Sequence, residues 1–399
     1  MSSSAHGQRL SEPDEMVSTR QRPTLSLATA VDSPDSGRMA STGDAVSLGD
    51  ADWRSRLRTA ALAHIADFVS DRSASALGGS GWEVAGDILL RFVSEGKCLR
   101  STFMYLGWLC GAGPNDAALS AAASLELLHA FALLQDDVMD QSPQRRGSPA
   151  VHVQLARCHQ RRGLSGAAAR FGESAAVLLG DICLVWAEQM LRESGVEDRR
   201  LRQAWPRYDA MRIELAVGQL CDLSNDIRNL PTLDAVLDVA RRKSGNYTVR
   251  RPLEMGAAMA DCDERTLEQL ARYGDAVGEA FQLRDDMLGV FGTPAITGKP
   301  SGDDLRERKA TSVVVAAYEM ADPPTRRQLH ELMHRAELDD AAVDHCKRLI
   351  TATGAVQRIE DMIDRRVDRV RTLLADMTIG QQTRAALSDL AAACVQRST

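Results

Sequence analysis

The sequence predicts an all-α protein. Aromatic residues make up only 4% of the 399 residues, and the alternating Val-, Ile- and Thr-rich runs typical of β-strands are scarce. From Trp53 onward, long segments with apolar residues at helical spacing are separated by short stretches of Gly, Pro or Asp. At 44% hydrophobic residues, the chain can bury a large core. These observations favour one helical domain over residues 49–399.

The first 48 residues are predicted to form a disordered tail. They are rich in Ser, Asp, Gly and Pro, and they lack the apolar stretch of a secretory signal peptide. Five acidic residues in this stretch argue against an organelle transit peptide: Glu12, Asp14, Glu15, Asp32 and Asp35. We therefore expect residues 1–48 to precede the domain without joining its core.

Each helix is predicted from apolar residues at helical spacing. The pattern ends at short stretches that contain helix-breaking residues, such as Gly111–Pro114 or Leu230–Pro231. The predicted helices cover residues 52–70, 82–93, 99–111, 116–140, 172–193, 200–226, 232–242, 246–259, 264–290, 309–320, 324–335, 340–352 and 354–376. A final helix is predicted over residues 379–396. No repeat with a period of 20 to 50 residues is present, which excludes solenoid architectures.

Two acidic motifs stand at the ends of apolar helices. Asp136, Asp137 and Asp140 follow L-L-Q, and Asp285 and Asp286 follow F-Q-L-R. On a helix, Asp136 and Asp140 project from nearly the same face, with Asp137 about 100° away. Clustered carboxylates repel one another unless a cation neutralises them, and an all-oxygen cluster suits Mg²⁺. A solvated acidic turn would explain one such motif, whereas two of them favour a metal site.

Basic residues flank both acidic motifs along the chain. They are Lys97, Arg100, Arg145, Arg146, Lys243, Lys299 and Lys309. An Arg side chain can bind two phosphate oxygens at once, and Lys acts as a point charge. Any one of these residues could be a solvated surface charge. As an ordered set around two acidic motifs, they favour a site that binds diphosphates.

The run from Glu126 to His152 resembles the first aspartate-rich region of the polyprenyl (isoprenyl) diphosphate synthases. Further motifs resemble that family and occur in its order: G-K-x-L-R at 96–100, G-Q-x-x-D at 218–222, K-S-G-N-Y at 243–247, F-Q-x-x-D-D at 281–286 and G-K-P-S-G-D-D-L-R-E-R-K at 298–309. The resemblance implies an isoprenoid-synthase fold, with antiparallel helices around a deep central cavity. It also implies the head-to-tail condensation of an allylic prenyl diphosphate with isopentenyl diphosphate.

The resemblance implies roles around the allylic diphosphate. Asp136, Asp137, Asp140 and Asp285 would hold a cluster of about three Mg²⁺ ions on this group, and Asp286 would complete the second acidic pair. The same leaving group would be gripped by Arg145, Lys243 and Lys299. Two further residues are expected to bind substrate, namely Ser244 and Lys309.

The resemblance also implies a neighbouring pocket for isopentenyl diphosphate. Its residues would be Lys97, Arg100, His129 and Arg146, and Gln282 would line the reaction centre near the developing cation. His129 precedes Asp136 by seven residues, nearly two turns along the same helical face. A core histidine hydrogen-bonded to a carbonyl is the alternative interpretation of His129.

Two residues predict the length of the product. In the family that the sequence resembles, the residues four and five positions before the first aspartate limit the product tail, and here they are Ala132 and Phe131. One small and one bulky residue suggest geranylgeranyl diphosphate, a C20 product; a farnesyl or longer product is the alternative. Phe131 could instead be an ordinary core residue, because it is offset by about 140° from Asp136.

One position departs from the family pattern in a way that affects the metal site. Gly289 occupies the last acidic position of the second D-D-x-x-D motif. A glycine there removes one possible metal contact, although the pair Asp285 and Asp286 is present.

Two other functions share the helical fold. A class I terpene cyclase normally has an Asn/Asp, Ser/Thr and Glu triplet at its second metal site, which F-Q-L-R-D-D lacks. A cyclase also needs no second diphosphate pocket, so Lys97, Arg100 and Arg146 favour chain elongation. A non-catalytic regulatory subunit usually loses carboxylates from the first motif, and all three are present here.

Composition also limits which binding partners and which cellular compartment are expected. The net charge is -7, and Lys and Arg are interspersed with acidic residues, which argues against nucleic acid as a partner. The eight cysteines lie far apart with no C-x-x-C pair, which is typical of reduced thiols and predicts a cytoplasmic protein. No uninterrupted apolar run approaches the roughly 20 residues that span a bilayer, so no transmembrane segment is expected. The family resemblance implies a homodimer.

Overall fold

A computed structural model of the chain describes residues 48–224, 230–294, 301–335 and 337–396. Apart from Leu48, the predicted N-terminal tail lies outside these ranges, and so does Lys299. The α-helices of the described residues are α1 (Trp53–Leu77), α2 (Glu83–Ser94), α3 (Leu99–Trp108), α4 (Asp116–Met139), α5 (Val151–Arg161), α6 (Ala168–Arg192), α7 (Asp198–Leu223), α8 (Leu233–Ala240), α9 (Arg251–Met259), α10 (Glu264–Phe291), α11 (Asp303–Arg306), α12 (Ser312–Met320), α13 (Pro323–Met333), α14 (Asp340–Ala352), α15 (Ala355–Asp376) and α16 (Gln381–Val395).

Two elements of the described residues are not α-helical. Strand β1 (Gln144–Arg145) pairs antiparallel with strand β2 (Ser148–Pro149) in a short hairpin after α4. A π-helix (Arg241–Arg250) connects α8 to α9 without a break. The prediction of an all-α protein is therefore confirmed, and the hairpin is the one addition within the described residues.

The helix predictions were wrong at three places. The short helix α11 was not predicted. No helix was predicted between residues 140 and 172, where α5 lies. Its buried residues are Val151, Leu155, Cys158 and the polar His159, so its apolar signal is narrow. A helix was predicted to start at residue 246, but there the chain is already in the π-helix that continues from α8. The wider turns of a π-helix interrupt the 3.6-residue period of apolar residues, so this period cannot show where the π-helix begins or ends.

Both acidic helices begin at a side-chain cap. The side chain of Asn115 accepts a hydrogen bond from the backbone N–H of Ala118 at the start of α4, at 2.9 Å. The side chain of Asp263 accepts one from Thr266 at the start of α10, also at 2.9 Å. Caps of this type stabilise a helix by about 1 kcal/mol each. They fix where the two helices start, and so where their acidic ends lie.

Helix α10 joins two hydrophobic clusters. Its first half contributes Leu270 and Tyr273 to the cluster that α1 to α7 and α9 also form. Its second half contributes Leu283 and Met287 to a cluster formed mainly with α12 to α15. The acidic pair of α10 lies in this second half, away from the capped end.

Helices α4 and α6 are long and apolar enough to cross a membrane, judged by length and composition alone. The core helix of a soluble protein passes the same test. In α4, 67% of the most apolar window is buried in the fold, as expected for a core helix, whereas in α6 the share is 44%. The absence of a transmembrane segment stays a prediction.

A glycine contact between α3 and α9 leads to a prediction about stability. A Cβ on Gly256 would lie 1.8 Å from the carbonyl oxygen of Met104 and 2.7 Å from the backbone nitrogen of Trp108. We expect Gly256→Ala to lower the free energy of unfolding by at least about 2 kcal/mol, because backbone atoms must move apart. Urea unfolding followed by circular dichroism measures this change. Gly113→Ala is the control, since a Cβ there has no atom within 4 Å. Equal stability of the two variants would contradict the expectation.

Candidate active site

Both acidic motifs face one cavity of about 690 Å³. From α4, Asp136 and Asp140 line it, and from α10, Asp285 and Asp286 do so. The remaining lining comes mainly from α3, the end of α7, α8, the π-helix and the segment 304–311. The structure therefore brings together two groups of carboxylates that are about 145 residues apart in sequence.

Helix α4 presents a single face to the cavity. Its lining residues are Glu126, His129, Leu133 and Asp136, followed by Asp140 at its C-cap, at successive intervals of three, four, three and four residues. Asp137 lies off this face and is only 1% exposed. Its carboxylate accepts a hydrogen bond from Arg145 Nε at 2.8 Å. Asp137 was predicted to bind metal; the structure places it beside the cavity, paired with Arg145.

Asp136 is surrounded by donors. Lys243 Nζ lies 3.4 Å from Asp136 Oδ1, Arg145 Nη2 lies 3.3 Å from Oδ2, and Gln219 Nε2 donates to Oδ1 at 3.3 Å. Burial alone would raise the pKa of Asp136, but Lys243, Arg145 and then Lys309 lower it below its usual range. Asp136 is therefore ionised at neutral pH and ready to neutralise a cation.

Lys243 extends from the π-helix to Asp136. Its Nζ also lies 2.7 Å from Asp222 Oδ2. Burial opposes the charge on Lys243, but the two carboxylates raise its pKa above the ordinary value. A Cβ on Gly218 would lie 2.7 Å from the backbone nitrogen of Lys243, so only glycine lets α7 approach the π-helix this closely.

These contacts account for the G-Q-x-x-D motif at 218–222. Gly218 allows the close packing, and Gln219 and Asp222 contact Asp136 and Lys243. Neither Gln219 nor Asp222 was among the predicted site residues. Their signal was the motif itself, whose glycine and polar side chains fall on one helical face.

The two residues of the second acidic pair both line the cavity, but they differ in burial and in hydrogen bonding. Asp286 is buried and accepts hydrogen bonds from Ser312 N at 2.9 Å, Ser312 Oγ at 2.6 Å and Gln282 Nε2 at 2.8 Å. Burial raises the pKa of Asp286, and these hydrogen bonds partly offset the shift. Asp285 lines the cavity beside it and is exposed. Ser312, at the start of α12, was not predicted.

Segment 304–311 closes the acidic end of the cavity. Lys309 Nζ lies 3.4 Å from Asp140 Oδ2 and 2.7 Å from Glu307 Oε2. Asp304 lines the cavity too, and burial raises its pKa to about 7 against the opposing charge of Lys309, with Asp286 and Asp285 adding to the rise. Lys309 was predicted to bind substrate; Asp304 and Glu307 were not predicted.

The predicted residues for the second substrate line the same cavity: Lys97, Arg100, His129 and Arg146. Arg100 lies over the ring of Tyr247, 4.2 Å from its centroid, and donates a hydrogen bond to Thr248 Oγ1 at 2.9 Å. Both partners of Arg100 belong to the π-helix. The π-helix therefore contacts Asp136 and Asp222, through Lys243, and also the predicted second pocket, through Tyr247 and Thr248.

His129 is half-buried at the wall of the cavity and is electrically neutral. Its Nδ1 has no hydrogen-bond partner, so the structure does not show a core histidine bonded to a carbonyl through that atom. Burial, followed by the charges of Arg100 and Arg146, holds the pKa of His129 well below its ordinary value. A neutral ring can hydrogen-bond a ligand without adding another charge.

The remaining predicted residues differ in their placement. Ser244 and Gln282 line the cavity. Phe131 and Ala132 are half-buried and pack against the larger hydrophobic cluster, and they are not among the residues that line the cavity. Their role in product length stays a prediction, as does the role of Lys299, which lies outside the described residues.

The donor set of the cavity fits Mg²⁺. Asp136, Asp140 and Asp285 offer carboxylate oxygens, the ligands that Mg²⁺ prefers. Among the described residues, no three His, Cys, Asp or Glu side chains are close enough to hold an ion by themselves. Mg²⁺ is usually bound through one or two carboxylates together with waters and substrate phosphates. The residues therefore fit ions that are shared with a bound diphosphate.

Comparisons with known proteins agree with this geometry. Residues 84–350 match the sequence profile of the polyprenyl synthetase family. A geranylgeranyl diphosphate synthase from Mycobacterium tuberculosis is 30% identical over 71% of this chain and 76% of its own length. A nonaprenyl diphosphate synthase from the same organism is 29% identical over 86% of this chain and 95% of its own length. A crystal structure of geranylgeranyl pyrophosphate synthase from Corynebacterium glutamicum, complexed with isoprenyl diphosphate and magnesium, superposes with a TM-score of 0.82 at 33% identity, covering 86% of this chain and 99% of that one.

Proposed function

The chain belongs to the polyprenyl synthetase family, and from that premise we propose that it joins an allylic prenyl diphosphate to isopentenyl diphosphate in the cavity described above. It is a polyprenyl diphosphate synthase, and relatives with different products are about equally similar to it. The observation that carries the assignment of the site is that both acidic motifs and the flanking cations line a single cavity.

The first step is departure of the allylic diphosphate. Asp136, Asp140 and Asp285 would hold the Mg²⁺ ions, about three per site, and Asp137 would orient Arg145. When bound, Mg²⁺ neutralises negative charge that develops on the departing group. Arg145 and Lys243 supply fixed positive charge at the same place, as would Lys309 and Lys299. Charges that are positioned before the reaction stabilise the transition state without further reorganisation.

The second step is attack by isopentenyl diphosphate. Lys97, Arg100 and Arg146 would bind its diphosphate, with neutral His129 as a further hydrogen-bonding group. The double bond attacks the allylic cation, a new carbon–carbon bond forms, and transfer of one proton to the released diphosphate restores an alkene. Leu133 and Phe281 line the cavity and would exclude water from the cation. Gln282, held by Asp286, would lie near the reaction centre, and Ser244 near the diphosphates.

A product assay tests the proposal. The purified chain is supplied with Mg²⁺, radiolabelled isopentenyl diphosphate and geranyl or farnesyl diphosphate. We expect a linear prenyl diphosphate together with inorganic diphosphate, and no turnover when EDTA removes the metal. A cyclic hydrocarbon from the allylic substrate alone would instead indicate a terpene cyclase. Full inactivity that a partner protein restores would indicate a regulatory subunit.

Product length is proposed to be C20, with a farnesyl or longer product as the alternative. Phe131 is half-buried on α4 and sits five residues before Asp136, at the position that limits product length in the family that the sequence resembles. Ala132 beside it is too small to close a cavity. One bulky residue beside one small residue at these two positions supports an intermediate length.

The proposal for product length makes a specific prediction. We expect Phe131→Ala to shift the product to chains at least one C5 unit longer, because the truncated side chain leaves room for further isoprene units. Radiolabelled products are separated by reversed-phase chromatography after dephosphorylation. Phe68→Ala, which also alters the packing of the larger cluster but lies on α1, is the control and should leave product length unchanged. An unchanged product from Phe131→Ala would rule out its limiting role.

An exposed apolar face supports a homodimer. On α7, Ile213, Val217 and Leu220 are exposed and recur at intervals of four and three residues. On α6, Leu178 and Val185 are 63% and 62% exposed. Arg212 of α7 bonds Glu188 of α6 at 3.1 Å, which joins the two helices beside these stripes. Exposed apolar stripes of this kind mark association surfaces, and a two-fold dimer is the commonest solution.

The dimer proposal is tested by mass. Light scattering coupled to size exclusion should give twice the chain mass of 43.4 kDa. Ile213→Lys together with Leu220→Lys should shift the protein to monomer at low micromolar concentration, since charges would be buried without partners. Leu164→Lys, an equally apolar exposed residue on another surface, is the matched control. A monomeric wild-type protein would refute the proposal.

We also propose a cytoplasmic location without a nucleic-acid partner. None of the eight cysteines, all of which the structure describes, forms a disulfide, and five of them are buried, as expected for a protein from a reducing compartment. The net charge of -7 supports the exclusion of nucleic acid.

A further inference from the structure

The position of Gly289 conflicts with the usual pattern of the second acidic motif, and the structure shows what takes its place. Gly289 is one helical turn after Asp285 on α10, so a side chain there would point to the same face. A Cβ on Gly289 would lie 1.8 Å from Asp304 Oδ2 and 2.5 Å from Asp304 Cγ. The carboxylate of Asp304 therefore occupies the volume of a side chain at position 289.

Gly289 is not explained by its backbone conformation. It is helical, its φ does not lie in the left-handed region, and glycine within a helix is destabilising relative to alanine. Instead, Asp304 can approach this closely only because residue 289 has no side chain. Asp304 comes from α11, after the end of α10, and lines the cavity with Asp285, Asp140 and Lys309.

We propose that Asp304 supplies the third carboxylate of the second acidic motif, from a different segment of the chain. This inference rests on the proposed function, because it assigns Asp304 to the metal ions that are shared with the diphosphate. Carboxylates that belong to or support a metal site commonly change metal affinity by 10- to 100-fold when they are removed. The glycine and the distant aspartate form a pair, in which each residue accommodates the other.

Metal binding tests the proposal without relying on turnover. Purified enzyme is titrated with Mn²⁺ at saturating inorganic diphosphate, and free Mn²⁺ is counted by electron paramagnetic resonance. We expect Asp304→Asn to weaken Mn²⁺ binding by about 10- to 100-fold. Asp303→Asn, an identical change on the same turn whose side chain does not line the cavity, is the matched control and should retain the wild-type affinity. Wild-type affinity in Asp304→Asn would overturn the proposal.

A carboxylate exchange provides a second test. Gly289→Asp alone should also weaken Mn²⁺ binding, because its side chain would collide with Asp304. Combining Gly289→Asp with Asp304→Gly moves the carboxylate from one segment to the other and should restore affinity to within roughly threefold of wild type, a non-additive result. A double variant no better than Gly289→Asp would overturn the proposal, provided that thermal unfolding shows a folded protein.

The two proposals fail in different ways. If the wild-type enzyme forms no prenyl diphosphate in the product assay, the proposed function is wrong. If it forms product while Asp304→Asn binds Mn²⁺ normally, the function holds and the role of Asp304 is wrong. The assay of the wild type therefore accompanies every titration.

Discussion

Asp136→Ala is expected to lower kcat by at least about 1000-fold. The carboxylate of Asp136 has three polar partners at the cavity, namely Lys243, Arg145 and Gln219, and its lowered pKa keeps it ionised. Removing it would leave the ions on the departing diphosphate without one of their ligands and leave two buried cations without their shared anion. Loss of a single group that stabilises developing charge costs about 100- to 1000-fold, and the second effect adds to it.

The measurement is single-turnover formation of labelled product at saturating Mg²⁺ and both substrates. Asp67→Ala on α1 is the control, because that aspartate is exposed and does not line the cavity. Circular dichroism should show equal helicity in both variants. If Asp136→Ala retained more than about a tenth of the wild-type kcat, its assignment as a metal ligand would have to be abandoned.

Lys243→Met is expected to lower kcat by about 100- to 1000-fold and to leave the KM for isopentenyl diphosphate within roughly threefold of wild type. Methionine retains most of the length of the side chain but removes the charge that lies between Asp136 and Asp222. Without this cation, the two carboxylates repel each other and the leaving group loses a fixed positive charge. The effect should therefore fall on ionisation of the allylic substrate.

Steady-state kinetics with each substrate varied in turn measures the effect on kcat and the effect on each KM separately. Arg241→Met lies on the same π-helix and also removes a cation, but its partner Asp238 is on the surface, where an ion pair contributes about 0 to 1 kcal/mol. Arg241→Met should therefore behave like the wild type. A rise in the KM for isopentenyl diphosphate that matches the fall in kcat would show that Lys243 serves the other pocket.

Much of the fold and part of the site could be predicted from local patterns. The spacing of Asp136 and Asp140 placed them on one helical face, and the offset of Asp137 by one residue explains why it instead meets Arg145. The prediction of an amphipathic helix at 340–352 coincides with α14 because Asp339 caps its start and its apolar stripe is continuous. These features depend on residues within a few turns of one another.

Other features depend on contacts that no local pattern encodes. Gly289 looked like a lost metal contact, because nothing in its own helix indicates that Asp304 fills the space. Similarly, nothing in the sequence indicated that Ser312, 26 residues further along the chain, donates hydrogen bonds to Asp286. Tertiary packing determined that Asp286 is buried and hydrogen-bonded whereas Asp285 is exposed in the cavity.

The π-helix has a consequence for the geometry of catalysis. Each widened turn contains one residue more than an α-helical turn, so deletion of one residue from Arg241–Arg250 would rotate Lys243 by about 100° relative to Tyr247. Lys243 would then lose Asp136, or Arg100 would lose its support from Tyr247 and Thr248. The extra residue thus sets the angle between Lys243, which contacts Asp136, and Tyr247, which supports Arg100, so one continuous helix fixes the relative orientation of these two contacts.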